Sequence, residues 1–125
     1  RSRYQVLILS DTFYEFADPL MRQLGRPTLL CHRLQVSNDG RVVNYRLRMP
    51  DQKRAAVNAL HGLNFQVLAA GDSYNDTAML AAADAGFFIH APASITAQFP
   101  QFPVTNSYRE LTVAIDRAAQ ALPAA

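Results

Sequence analysis

Gly71-Asp72-Ser73-Tyr74-Asn75-Asp76 joins an apolar run at 65–70 to a helix-like run at 77–83. The pattern predicts a buried strand, a tight glycine turn and the start of a helix. Open α/β sheets bind ligands at the carboxyl ends of parallel strands, where this turn is predicted to lie. Its two carboxylates are four residues apart, and carboxylate oxygens are ligands that Mg²⁺ prefers. The structural alternative is that Asp72 or Ser73 caps the helix, with Asp76 lying favourably in the first turn.

The composition is that of a globular domain. With 125 residues, half of them hydrophobic, the chain is one domain at most. A single cysteine, Cys31, excludes an internal disulfide and favours a reducing compartment, so we expect a cytoplasmic protein. A net charge of +2 without a Lys/Arg cluster gives no indication of nucleic-acid binding. No apolar run approaches the roughly 18 residues of a membrane span. The residues that follow Arg1 lack the pattern of a signal peptide, so we expect none.

Apolar runs alternate with helix-like segments along the chain, which predicts an α/β fold with a mostly parallel sheet. The predicted strands are 4–9, 28–31, 65–70, 87–90 and an edge strand at 104–105, with a hairpin of 34–36 and 42–47 turning at Asn38-Asp39-Gly40. The other predicted helices run from Thr12 to about Leu24, from Asp51 or Gln52 to Leu60, and from Ser107 to about Ala121. Thr12 and Ser107 each open a capping box with a Glu three residues later. Gly25 and Gly62 are predicted to end the first two helices.

Polar groups occur at three of the predicted strand ends or helix starts: Ser10-Asp11, Lys53, and the turn from Asp72 to Asp76. We expect them to converge, because the carboxyl ends of parallel strands lie on one side of a sheet. Together they offer a hydroxyl, free N–H groups, an ammonium and a carboxylate pair, the groups needed to hold a phosphoryl group with Mg²⁺. The structural alternatives are a helix cap for Ser10 and a solvated surface residue for Lys53.

An apolar strand ending in Ser, then a Lys, then Gly-Asp-x-x-x-Asp is the ordered motif set of the haloacid dehalogenase-like phosphatases, which this chain resembles. Residues 71–76, with Asn75 before the second Asp, are similar to the motif of the family's phosphoserine phosphatases. Segments 8–16, 19–25, 27–32 and 99–103 resemble the bifunctional type that also transfers phosphate to homoserine. The resemblance implies a Rossmann-like three-layer core with a parallel sheet, a β-hairpin and Mg²⁺ as cofactor.

The resemblance also implies roles for residues outside the turn. Ser10 would hydrogen-bond the phosphoryl oxygens, helped by the Asp11 N–H. Lys53 would neutralise the phosphoryl group and hold the nucleophile. Phosphoserine would be the substrate, and water or homoserine would accept the phosphate.

Within the turn, the resemblance implies that Asp72 ligates Mg²⁺. Asp76 would either bind a metal-bound water or orient Lys53, and Asn75 would contact the phosphate or the nucleophile. Cys31, His32, His61 and His90 are interpreted as structural residues instead.

The chain departs from the family at the nucleophile. Members use an Asp in an Asp-x-Asp or Asp-x-Glu motif at the end of the first strand, which becomes an aspartyl-phosphate. No such motif precedes Ser10, so we expect the central first strand, its nucleophile and the helical cap to be absent. Residues 1–125 would then be a partial phosphatase core that is inactive alone. The alternative is a non-catalytic Rossmann-like fragment that binds phosphate, metal or a partner chain. A receiver-type domain is excluded, because no acid pair follows the first strand of this chain.

The absent first strand has a structural consequence. In the family it lies between the strand ending at Ser10 and the strand ending near Asp72, so both would have unpaired edges, which are costly when buried. We expect the chain to bind a missing fragment, to pair these two strands directly, or to self-associate.

Overall fold

The computed structural model describes residues 4–46 and 50–123. The chain divides into two compact units, Arg1–Gln52 and Lys53–Ala125, each of which is described by itself. The predicted strand end at Leu47 lies outside the described residues. In the part of the chain that is described, no helix is both long and apolar enough to cross a membrane.

The first unit is a three-stranded sheet with one helix. In chain order its elements are β1 (Leu7–Phe13), α1 (Tyr14–Gln23), β2 (Thr28–Val36) and β3 (Val42–Arg46). β2 is central, with β1 parallel to it on one side and β3 antiparallel on the other. The hairpin turn was predicted correctly, and Gly40 takes the positive φ of 87° that favours glycine there.

Helix α1 ends as the glycine at position 25 predicts. The Arg26 N–H donates to the Met21 carbonyl and the Gly25 N–H to the Arg22 carbonyl, which is the hydrogen-bond pattern of a Schellman motif. Gly25 has the left-handed conformation that this motif requires, with φ of 79°. This C-terminus therefore depends on local sequence alone.

The start of α1 was predicted wrongly. β1 continues to Phe13, so Thr12 belongs to the strand, and Phe13 occupies the N-cap position without a side-chain cap. Glu15, expected to reach back to Thr12, instead accepts the N–H of Leu34 in β2. The capping box is lost because β1 continues past Thr12 to Phe13, which pairs with His32 of β2. The predicted strands 28–31 and 34–36 are likewise one continuous strand.

The second unit is a parallel sheet with helices. Its elements are α2 (Gln52–Gly62, entering from the first unit), β4 (Leu68–Gly71), a 3₁₀ turn (Tyr74–Asp76), α3 (Thr77–Ala82), β5 (Ala85–Ile89), α4 (Ala93–Thr96), β6 (Val104–Thr105) and α5 (Tyr108–Ala121). The strand order is β4-β5-β6, all parallel. Phe88 of β5 is fully buried and packs edge-on against Phe99 and Phe102, which places the core beside β5.

The end of α2 differs from the prediction. Gly62 is its last helical residue, but Asn64 takes the left-handed conformation, with φ of 68°. The Phe65 N–H donates to the Leu60 carbonyl and the Asn64 N–H to the His61 carbonyl, again a Schellman motif. Phe65 belongs to this turn and is 57% exposed, so β4 begins later than the predicted residue 65.

Helix α5 begins as predicted. The Ser107 hydroxyl accepts the Glu110 N–H at 3.1 Å, and the Glu110 carboxylate accepts the N–H of Asn106. The prediction of an incomplete α/β core is confirmed: the described strands form two three-stranded sheets, with β1 and β4 each at the edge of its own sheet.

Candidate active site

The turn after β4 is folded around the Asp76 carboxylate. Its Oδ2 accepts the N–H of Asp72 at 3.0 Å, the N–H of Ser73 at 3.2 Å and the Ser73 hydroxyl at 3.2 Å. Asp76 is only 6% exposed. Two of these donors are backbone N–H groups just before the 3₁₀ turn and the third is a side-chain hydroxyl, so one aspartate satisfies all three and fixes the shape of the turn.

The other oxygen of the same carboxylate binds Lys53. Lys53 Nζ lies 2.7 Å from Asp76 Oδ1, and both side chains are largely buried. Burial raises the pKa of Asp76. The hydrogen bond and charge of Lys53, together with the N–H groups of Asp72 and Ser73, lower the pKa by more than burial raises it, so the pKa lies below its ordinary value. Asp76 is therefore ionised at neutral pH and holds the Lys53 ammonium in the second unit.

Gly71 is required by the close approach of Asp76 to the backbone. A methyl group at Gly71 would lie 2.5 Å from Asp76 Cβ and 2.6 Å from Oδ2. No carbon atom tolerates such contacts, so the side chain of Asp76 occupies the space that any other residue at 71 would need.

Gly71→Ala is accordingly expected to displace Asp76 and to lower the free energy of unfolding by about 2–3 kcal/mol. Urea denaturation followed by circular dichroism measures this change. The matched control is Gly62→Ala, where a methyl group would meet nothing within 4 Å, and this substitution is expected to stabilise by up to about 1 kcal/mol. Equal unfolding free energies for the two variants would contradict the close approach.

Asp72 and Asn75 are the exposed polar residues of the turn. Among the described residues, the Asp72 carboxylate makes no hydrogen bond or ion pair, while the Asp76 carboxylate binds Lys53 and the backbone of the turn. In the same part of the chain, no three His, Cys, Asp or Glu side chains gather as a metal site. Mg²⁺ usually binds one or two protein carboxylates and completes its shell with water and phosphate oxygens. A single exposed Asp72 fits that ligand set.

In the first unit, Ser10 and Asp11 lie in an irregular part of β1. Leu9 pairs with Leu30, but the next pair is Phe13 with His32, so four steps along β1 match two along β2. Such bulges redirect side chains and interrupt the ladder. The Ser10 hydroxyl accepts the Thr12 N–H at 3.1 Å, which satisfies one backbone group within the bulge.

Two buried side chains contact this bulge. The Gln52 amide donates to the Ser10 carbonyl and lies 3.4 Å from Asp11 Oδ1. His32 Nε2 lies 3.5 Å from Gln52 Nε2 and 3.6 Å from Asp11 Oδ1. Cys31 is buried, as interpreted from the sequence, and the neighbouring His32 is buried as well. The contact with Gln52 was missed, since nothing local in the sequence links residues 10 and 52.

The predicted site residues thus fall into two groups. Lys53, in the first turn of α2, donates a hydrogen bond to Asp76 on the turn that also bears Asp72 and Asn75. For Asp76 the observed contact is the second of the two predicted alternatives, the one to Lys53. Ser10 and Asp11 share the bulge of the first unit. Joint action of the two groups on one phosphate stays a prediction.

Comparison with known proteins supports the pattern of motifs. A model of the haloacid dehalogenase-like hydrolases matches residues 1–84. Phosphoserine phosphatase ThrH of Pseudomonas aeruginosa is 58% identical over 111 residues, covering 89% of this chain and 54% of that protein. A phosphoserine phosphatase of Pseudomonas syringae pv. tomato is 59% identical over 111 residues, covering 89% and 47%. The chain spans about half the length of the curated relatives it matches.

Solved structures show the same fold. A probable phosphoserine phosphatase from Vibrio cholerae superposes with a TM-score of 0.71 at 24% identity, over 97% of this chain and 40% of that one. A substrate-bound phosphoserine phosphatase complex also gives 0.71, at 17% identity over 90% and 57%. These likenesses confirm the Rossmann-like core. Together with the family model over residues 1–84, they lead to one conclusion: the chain belongs to the haloacid dehalogenase-like hydrolase family.

Proposed function

We propose that this chain forms the metal- and phosphate-binding part of a Mg²⁺-dependent phosphoserine phosphatase. The observation on which this depends is the Lys53–Asp76 ion pair, at 2.7 Å, on the turn that presents Asp72 beyond the end of β4. The pair holds the ammonium of Lys53, which belongs to α2, against the turn that bears the exposed carboxylate of Asp72. The curated relatives, which are named phosphoserine phosphatases, support the substrate class.

In the proposed reaction, a carboxylate oxygen of an Asp outside these 125 residues attacks phosphorus, and the serine oxygen leaves with its electron pair and takes a proton. The resulting aspartyl-phosphate is then cleaved by water, or by the hydroxyl of homoserine as acceptor. Phosphoryl transfer requires mainly positioning and charge neutralisation. The residues of this chain supply both.

Each group has a distinct role in this proposal. Lys53, held by Asp76, offers a compact positive charge to the phosphoryl oxygens. Asp72 would hold Mg²⁺, which when bound supplies further positive charge at the phosphate. Ser10 donates its hydroxyl hydrogen, with help from the Asp11 N–H, and Asn75 contacts the phosphate or the nucleophile.

A cytoplasmic location and self-association through strand edges belong to the same proposal. Self-association is supported by β1 and β4, which are edge strands within their own sheets. Edge strands with apolar residues tend to pair with other chains.

Calorimetric titration of the 125-residue chain with Mg²⁺ and inorganic phosphate tests the proposal. We expect phosphate to bind with a Kd on the order of 1 mM when Mg²⁺ is present, more weakly with EDTA, and we expect no hydrolysis of phosphoserine. Absence of Mg²⁺-dependent phosphate binding would refute the site. Hydrolysis by the chain alone would refute an external nucleophile. Phosphoserine turnover by a longer natural polypeptide with this sequence distinguishes a phosphatase from a non-catalytic module.

A further inference from the structure

We infer that Gln52 is a positioning residue, whose side-chain amide holds the bulge at Ser10–Thr12 in the conformation that presents Ser10 and Asp11 to phosphate. The inference deepens the proposed function and rests on it for the identity of the ligand. The conformational part stands on contacts within the first unit alone.

Gln52 is buried in a way that is unusual for an amide side chain. It is 1% exposed, among the most buried side chains of the described residues. A buried amide is costly unless its polar atoms are hydrogen-bonded. Its Nε2 meets the Ser10 carbonyl and Asp11 Oδ1, residues that are 42 and 41 positions away in sequence. The contact is therefore tertiary and specific to the bulge.

The orientation of the amide follows from these partners. Nε2 faces two oxygen atoms, the Ser10 carbonyl oxygen and Asp11 Oδ1. A carbonyl oxygen and an ionised carboxylate accept hydrogen bonds and cannot donate them. Turning the amide over would bring Oε1 against both oxygens and would be repulsive. Gln52 must therefore act as the donor here, and Glu at this position would lack the donor altogether.

The bulge needs this donor because its ladder is interrupted. Between Leu9 and Phe13 the regular pairing with β2 is lost, so the polar groups of the intervening backbone need other partners. The Ser10 hydroxyl accepts the Thr12 N–H, and Gln52 donates to the Ser10 carbonyl. Ser10 is thus fixed at both its side chain and its main chain.

This arrangement matters for ligand binding. A serine hydroxyl has one hydrogen to donate and two lone pairs. Since Ser10 Oγ accepts from Thr12, its own hydrogen can be donated to a phosphoryl oxygen. His32, 3.6 Å from Asp11 Oδ1 and 3.5 Å from Gln52 Nε2, forms the buried side of the same cluster. Preorganisation of this kind raises affinity by reducing the ordering cost of binding.

The test compares Gln52→Met and Gln52→Glu with wild type in the full 125-residue chain. Gln35→Met is the matched control, because Gln35 is an exposed glutamine on β2 of the same unit. We expect both Gln52 variants to shift the Asp11 and Thr12 amide signals in ¹H–¹⁵N spectra and to speed exchange of the Thr12 N–H about 10-fold. We expect phosphate affinity to fall about 10-fold, with Mg²⁺ affinity unchanged. If Gln52 had a purely structural role, its substitution would lower the free energy of unfolding without selectively weakening phosphate binding.

A measurement on wild type keeps the inference falsifiable should the variants not fold. One side-chain N–H of Gln52 is expected to exchange much more slowly than those of Gln35. Exchange as fast as in Gln35, or unchanged Asp11 and Thr12 signals in the variants, would overturn the positioning role. So would equal phosphate affinity in wild type and Gln52→Met. If wild type binds no phosphate, the proposed function fails, while the spectra of the free chain still decide whether Gln52 orders the bulge.

Discussion

Replacing Lys53 with Met is expected to lower the free energy of unfolding by about 2–4 kcal/mol. The substitution keeps the aliphatic stem but removes the ammonium that lies 2.7 Å from Asp76 Oδ1. Asp76 would then be a buried carboxylate with no cation at that oxygen, although its three bonds within the turn would remain. Urea denaturation at pH 7 measures the loss, and phosphate binding in the presence of Mg²⁺ should fall with it.

Arg54→Met is the control for Lys53→Met, because it removes a cation from the adjacent, exposed position of α2. It should change stability by less than about 1 kcal/mol. If Lys53→Met lowers the free energy of unfolding by no more than Arg54→Met does, the Lys53–Asp76 pair contributes no more to stability than an exposed charge.

The same pair predicts how stability depends on pH. The folded-state pKa of Asp76 is lowered, so its contribution is fully present above the unfolded-state pKa of about 3.9. It is lost as the pH falls through the lower, folded-state value. The difference in stability between wild type and Lys53→Met should therefore shrink as the pH falls below about 3.9. A constant difference across that range would assign the effect to packing.

Replacing Asp72 with Asn is expected to abolish most Mg²⁺ binding while leaving the fold intact. Asp72 is exposed, and its carboxylate makes no hydrogen bond within the described part of the chain, so the free energy of unfolding should change by less than about 0.5 kcal/mol. An amide is a much weaker ligand for a hard cation than a carboxylate. Phosphoserine turnover by a longer natural polypeptide with this sequence should fall about 10²–10³-fold.

The control for Asp72→Asn is Asp39→Asn, which removes an exposed carboxylate from the hairpin turn. Its Mg²⁺ affinity and turnover should match wild type. Undiminished Mg²⁺ affinity in Asp72→Asn would exclude Asp72 as the metal ligand. A large drop in stability would instead give it a structural role, as the helix-capping alternative requires.

Several features could be predicted because their causes are local. Gly25 predicted the end of α1, Gly40 the hairpin and Ser107 the start of α5, and each prediction is confirmed. The strand–turn–helix at residues 68–82 also follows from adjacent residues. Helix ends and tight turns depend on one or two backbone conformations, which residue type restricts directly.

The errors occurred where distant segments compete for the same residues. Thr12 has the sequence of a helix cap, but β1 continues past it to Phe13, which pairs with His32 of β2. Glu15 accordingly binds Leu34 rather than its own helix start. The sum of sheet pairing and burial outweighs a cap that contributes about 1 kcal/mol.

The sequence by itself determined the order of strands and helices and the family, because motif spacing and turn chemistry depend on neighbours along the chain. It also predicted which residues bind phosphate and metal. Only the tertiary structure decided that Asp76 binds Lys53 with one oxygen and its own turn with the other. It also decided that Gln52 donates to the bulge at Ser10. Buried polar groups take whichever partner the packed chain brings within about 3 Å, and that choice depends on segments far apart in sequence.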